Sequence, residues 1–265
     1  ARLLPADLHL KASDVQGSLR HGGHIGQLNW QQTGLTVRAQ GIQLSLDLQR
    51  LMDRQLPVQA LQIQQLDGND SRPASQQPMT ELSWPMRVDT RWQIDTLHWT
   101  TSASIEASEM RGHYVFDGQH HQLHMDSLQW AQGRYSGHIR LQAASPMQLD
   151  ADLQGQLQMP ASGMRAAQNL SAQASVQGPV AGPAARQHLQ ARVNADHSAG
   201  PNMQLQGELQ AQGSPALVSL QARLQRMDLA MLWPNAPHTR IDGALQITPT
   251  DSGWQLQTQL NNTLP

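Results

Sequence analysis

From Met147 to Met159 the chain alternates between two kinds of side chain. Met147, Leu149, Ala151, Leu153, Leu157 and Met159 are apolar, whereas Gln148, Asp150, Asp152, Gln154, Gln156 and Gln158 between them are polar. Successive side chains of a β-strand point to opposite sides, so this spelling describes a strand with one aliphatic face and one wet face. It recurs at Leu170, Ala172, Ala174 and Val176, then at Met203, Leu205, Leu209 and Ala211. Leu220, Ala222 and Leu224 repeat it, as do Trp254, Leu256 and Leu260. A chain built of many half-apolar strands carries a long apolar surface, and where that surface goes decides what the chain does.

The expected fold class is therefore all-β, with one or two short helices. Hydrophobic residues make up only 38% of the 265 residues and a single Phe is present, fewer large core residues than a compact sandwich of this size usually recruits, although composition alone fits a plain Leu-rich core as well as a smooth open aliphatic face. The formal net charge is −2 and no Lys/Arg block occurs, which argues against a nucleic-acid partner. Cysteine is absent, so neither a disulfide framework nor a thiolate zinc site is available. No apolar run approaches the roughly 20 residues of a membrane span, and the first ten residues lack the regions of a signal peptide. The ends, opening in mid-pattern at Ala1 and closing after Asn261 and Asn262, suggest a piece of something longer.

Two blocks are expected, 1–68 with a short helix and 69–265 as a continuation of the same strands with no true domain break. Leu48, Leu51, Met52 and Gln55, ending at Pro57, change the period and fit one or two turns of amphipathic helix. Asp67 to Pro78 reads as an exposed loop, and Leu224 to Trp233, halted by Pro234, as a second short helix. Asp117-Gly118, Gln132-Gly133 and Ser145-Pro146 are turn signals, the first a good hairpin mark. Leu153-Gln154-Gly155-Gln156-Leu157-Gln158 is echoed by Leu205-Gln206-Gly207-Glu208-Leu209-Gln210, which favours an array over a single closed fold.

In order along the chain, several short motifs resemble the TamB branch of the AsmA-like family. The near-N-terminal ones are Val15-Gln16-Gly17-Ser18-Leu19, then Gly26, Leu28 and Trp30, then Ile42-Gln43-Leu44, the helix ending at Met52, and Leu56 to Leu66. Leu82 to Trp99, Gly112-His113-Tyr114, His121 to Trp130, Gly133-Arg134-Tyr135-Ser136-Gly137 and Pro146-Met147-Gln148-Leu149 look like the next repeats. Trp233-Pro234, Ile241 to Leu245 and Trp254 to Asn261 resemble a later unit. The resemblance implies a long β-sheet curled into an open trough and a periplasmic segment of an inner-membrane-anchored protein, the anchor lying outside this chain. It also implies phospholipid movement, or assistance to outer-membrane protein assembly, in a Gram-negative bacterium. The outer-membrane partner TamA would be met by parts of the longer protein outside this chain.

On that reading the lipid-contacting residues are Met147, Leu149, Ala151, Leu153, Leu157, Met159, Leu170, Ala172, Val176, Met203, Leu205, Leu209, Leu220, Leu224, Trp254 and Leu256. About twenty six-residue strands at about 4.8 Å each would make a sheet roughly 100 Å long. Burying hydrocarbon contributes about 0.8 kcal/mol per CH₂, so uniform aliphatic walls hold a lipid strongly while giving it no single deep minimum.

Chemistry finds little footing. His113, His120, His121 and His124 are the nearest approach to a metal constellation, but alternation splits them between two faces and no carboxylate or Cys completes a set, so surface histidines are expected. His21 and His24, among Gly22, Gly23 and Gly26, read as a turn. Gly133-Arg134-Tyr135-Ser136-Gly137 places its Ser one position late for a nucleophile elbow, and no Gly-rich loop opens a helix. No enzyme, cofactor or metal is expected. Two further readings stand beside lipid transfer: a scaffold that pairs a strand edge with outer-membrane client strands, and a glycan-active β-helix. Trp92, Trp99 and Trp130 could line a groove, cap its rim or pack in a core.

Overall fold

The computed structural model describes residues 9–18, 22–72, 80–101, 104–159, 168–182, 185–196, 200–210, 217–228, 239–250 and 253–264. The chain is all-β. Among the described residues there are fifteen strands, and within each unit they are hydrogen-bonded in the order of the sequence, mostly antiparallel. The strands run 8 to 13 residues, longer and fewer than the six-residue strands expected. Two compact units divide the chain, one of residues 1–75 and 83–131, the other of 76–82 and 132–265. Residue 68 lies inside a strand of the first unit.

The first unit contains β1 (His9–Ser18), β2 (Gly22–Gln32), β3 (Leu35–Leu46), β4 (Val58–Asp70), β5 (Val88–Thr100), β6 (Ser104–Phe116) and β7 (His120–Trp130). Neighbours are antiparallel except β4 and β5, which are parallel. A parallel pair needs the chain to return to the starting end before the second strand begins, so the connection between β4 and β5, described at 71–72 and 80–87, is a crossover. The loop expected from Asp67 starts later, because Asp67 to Asp70 still belong to β4; residues 73–79 lie outside the described residues. The returning chain runs beside the end of β3's connection, where the Leu56 N–H donates to the Arg87 carbonyl at 2.7 Å and the Arg87 N–H to the Arg54 carbonyl at 3.1 Å.

The expected first helix is present as a 3₁₀ helix, Leu48–Asp53. Asp47 caps it by accepting from the Gln49 N–H, and Arg54 ends it in the left-handed region at φ 55°. None of its residues is buried, and Met52 is 88% exposed. Six residues are too few turns to lay an apolar stripe on a sheet.

A line of irregularities crosses this unit. The pairing register skips Asp14 in β1, Gly26 in β2, Gly41 in β3, Gln64 in β4, Asp95 in β5 and Glu109 in β6, each beside the next. Asp14, Gly41 and Glu109 have φ of 55°, 62° and 49°. Each skipped residue shifts the alternation by one, so Ile25 and Leu28, Ala39 and Ile42, and Ile63 and Leu66 keep to one side although three apart. These residues form the buried cluster of the unit, with Ala39, Ile42 and Ile63 at its centre and Leu44, Leu61 and Ile94 packed against it.

The second unit contains β8 (Gly133–Gln142), β9 (Gln148–Met159), β10 (Gln168–Pro179), β11 (Gln187–Ala195), β12 (Asn202–Leu209), β13 (Leu217–Met227), β14 (Ile241–Thr250) and β15 (Gly253–Asn262), each antiparallel to the next. The helix expected at Leu224 to Trp233 is not found where the chain is described. Leu224 to Met227 end β13, and 229–238 lie outside the described residues. Arg226 is left-handed at φ 53° and the register shifts between Leu224 and Met227, so a bulge produced the three-residue spacing that imitated a helix. Asp117-Gly118 does turn a hairpin between β6 and β7, with Asp117 Oδ1 accepting from the Gln119 and His120 N–H groups, each at 2.7 Å.

Candidate functional site

Register decides which side chains of the second unit share a face. One row runs Ile139, Ala151, Val176, Leu189, Gly207, Leu220, Ile247, Leu256, one residue from each of eight strands and none of them polar. The neighbouring row is Gly137, Leu153, Ala174, Ala191, Leu205, Ala222, Leu245 and Thr258. On its other side Tyr135, Gly155, Ala172, Val193, Met203, Leu224, Gly243 and Leu260 make a third. The residues expected along the apolar face thus meet across strands. Leu149 faces Leu141, and Leu157 faces both Gly133 and Leu170. Leu209 faces Gln187 and Leu217, while Met159 and Trp254 stand opposite Gln168 and Pro249 at strand ends.

These apolar residues are mostly half-buried. In a closed core such positions would lose nearly all contact with solvent, whereas Leu149, Ala151, Leu153, Leu157, Ala172, Val176, Leu205, Leu220 and Leu224 keep part of it. Trp254 and Leu256 on β15 are exposed at 52% and 61%. Two of the expected residues offer no surface. Leu170 is 3% exposed, and Met147, which precedes β9, is at 0%.

The opposite face carries a different row. Gln190, Gln206, Gln221, Gln246 and Gln257 from five successive strands stand beside one another, all exposed. Ser175, Asp152 and His138 continue it across the other three strands.

In the first unit the returning crossover brings Trp84, Pro85 and Met86 against the sheet. Together with Leu44, Leu56, Val58, Leu61, Val88, Thr90, Trp92 and Tyr114 they line a partly open cavity of about 410 Å³. Its hydroxyls are engaged: Thr90 Oγ1 donates to the Val58 carbonyl at 2.7 Å, and Tyr114 Oη accepts from the Trp84 indole N–H at 3.0 Å. The Tyr114 hydroxyl also bonds His121 Nδ1 at 2.6 Å, and burial pushes its pKa up. The Trp92 indole N–H is buried with no hydrogen-bond partner. The sequence placed Trp84 within the repeat-like stretch Leu82 to Trp99, which gave no sign of a cavity; the long polar gap followed by an apolar Trp-Pro-Met was the available signal.

Large rings lie over glycines of the adjacent strand. A Cβ on Gly68 would fall 2.1 Å from Trp99 Cε3, its cross-strand partner, and one on Gly155 would fall 2.2 Å from Tyr135 Cδ1. Trp92 lies likewise on Gly112, 2.9 Å from the place of a Cβ. Trp130 instead stands 46% exposed at the end of β7.

The four clustered histidines have separate partners. His113 Nε2 pairs with Asp89 at 2.6 Å, His120 with Asp117 at 3.4 Å and His124 with Asp126 at 3.2 Å. His121 is not the surface residue expected: it is 7% exposed and stacked on Phe116 at 4.5 Å between ring centroids. His24, expected in a turn, lies within β2 opposite Gln16 and Gln43, and His21 lies outside the described residues. His138, Asp150 and Asp152 have ligand atoms within 4.8 Å of one another, but Asp150 also accepts from Gln177 at 3.2 Å, and the group stands on the wet face.

No family model matches the chain, and no curated protein or solved structure matches it either.

Proposed function

We propose that this chain is a segment of a lipid-transfer bridge, along which phospholipid moves with its acyl chains against the apolar face. The carrying observation is the unbroken row from Ile139 to Leu256, apolar in every strand and mostly half-buried rather than sealed. Such a surface rewards hydrocarbon at about 0.8 kcal/mol per CH₂ and contains no polar group to fix one position. The resemblance to the TamB branch of the AsmA-like family supports the same reading and with it a periplasmic setting. Native mass spectrometry of the protein extracted from membranes tests it. Phospholipid should remain bound, and a lipid-free spectrum from gentle extraction would defeat the proposal.

A second reading has one observation in its favour. β15 carries no charged residue, no proline and no register shift, and all ten of its residues are exposed, the features of an edge open to a further strand. A scaffold for client strands would use that edge. Crosslinks from a client to β15, with none from lipid to the Leu205 row, would favour it.

A further inference from the structure

We propose that the cavity beneath Trp84, Pro85 and Met86 is a binding site for one acyl chain of a phospholipid, a single-chain pocket distinct from the open face of the second unit. The inference rests on the lipid reading above and sharpens it to a place and a chain length.

The argument begins with polarity. Leu44, Leu61, Val88, Trp92 and Met86 supply hydrocarbon walls, and the Thr90, Tyr114 and Trp84 donors are already spent within the protein. A peptide entering here would bring N–H and C=O groups that find no partners, at a cost of several kcal/mol. A sugar would fare worse. The Trp92 indole N–H, the one side-chain donor of the lining without a partner, is buried out of a ligand's reach, so the walls offer nothing to a molecule that presents polar groups. Hydrocarbon is the chemistry that loses nothing on entry.

Volume then sets the number of chains. A methylene fills about the roughly 30 Å³ of a water molecule, so a cavity of about 410 Å³ holds about fourteen of them, one chain and not two. The crossover that roofs it is tied at Arg87 to Arg54 and Leu56 and at Trp84 to Tyr114, which keeps the space open rather than letting Met86 fill it.

The test is a titration of the full chain with lysophosphatidylcholines of 8 to about 18 carbons, below micelle formation, followed by calorimetry. Affinity should rise about fourfold per added methylene and level off near fourteen carbons. Val58→Phe or Leu61→Trp, each shown by circular dichroism to stay folded, should move the plateau to shorter chains. Gln206→Asp, on the polar face of the other unit, should leave it in place. A rise continuing through the longest chain, or a plateau that neither folded variant moves, would overturn the pocket. If those affinities are instead lost in Leu205→Asp, the pocket is wrong and the open face stands. If no chain length binds at all, the lipid reading falls with it. Binding of free fatty acids of matched length without lysophospholipid binding would overturn the phospholipid assignment.

Discussion

Leu205 and Gln206 are adjacent in β12 yet belong to rows of opposite character. Leu205 stands half-buried between Ala191 and Ala222, and Gln206 stands exposed between Gln190 and Gln221. Replacing Leu205 by Asp removes part of a leucine's burial, about 1 to 1.5 kcal/mol, since the residue is only partly enclosed. The new carboxylate keeps its hydration and so should remain ionised. The protein should stay folded. A lipid tail crossing that position loses contact over about five methylenes, which at ~0.8 kcal/mol each is about 4 kcal/mol. As a barrier to sliding, that slows passage about a thousandfold. Gln206→Asp brings the same charge to a side chain already in water and should change stability by less than about 0.5 kcal/mol, with no effect on passage. Transfer of a fluorescent phospholipid between donor and acceptor vesicles reads the first effect, and urea unfolding the second. A folded Leu205→Asp protein that transfers lipid at the normal rate, or equal losses from both substitutions, would refute the reasoning.

Gly68→Ala should destabilise the first unit by about 1 to 3 kcal/mol, because the new methyl would fall 2.1 Å from the Trp99 ring. The cost should shrink sharply in a Trp99→Ala background, which a double-mutant cycle in urea measures. Asp117→Ala leaves two backbone N–H groups of the β6–β7 turn without their acceptor and should cost about 1 kcal/mol, with Asp117→Asn recovering part of it. Asp70 is drawn down from 3.8 to about 2, chiefly by hydrogen bonds from the Arg72 side chain. Its contact with Arg72 should therefore be fully present above pH 4 or so and fade as the pH falls through about 2. Carboxyl carbon shifts across that range read the titration, and Arg72→Gln should bring the midpoint back toward the usual carboxylate value.

The second unit was legible because an antiparallel meander preserves a period of two from strand to strand, and the alternation at Leu149, Leu153 and Leu205 survives in the registers, with a shift against β13 just before Leu209. The first unit was less so. Its line of bulges spaces Ile25 from Leu28 and Ile63 from Leu66 by three, a spacing that taken strand by strand is noise and becomes a pattern only when the strands lie side by side. The same spacing at Leu224 and Met227 read as helix for the same reason. The parallel pairing of β4 with β5 depends on where the chain between them travels, which composition does not encode, although 71–87 is long enough for a crossover. The apolar cavity was illegible because its walls come from four strands and its roof from that connection.

The glutamine row sets a condition on the whole second unit. Were hydrocarbon to come and go on the opposite face, as proposed, stability drawn from that face would rise and fall with occupancy. Gln190, Gln206, Gln221, Gln246 and Gln257 are neutral, each able to donate and to accept, and spaced within reach of one another across the strands. Neither protonation nor ionic strength alters them. The backbone ladder and this row make a frame that does not depend on what covers the other face, so the proposed loading and unloading would leave the register unchanged.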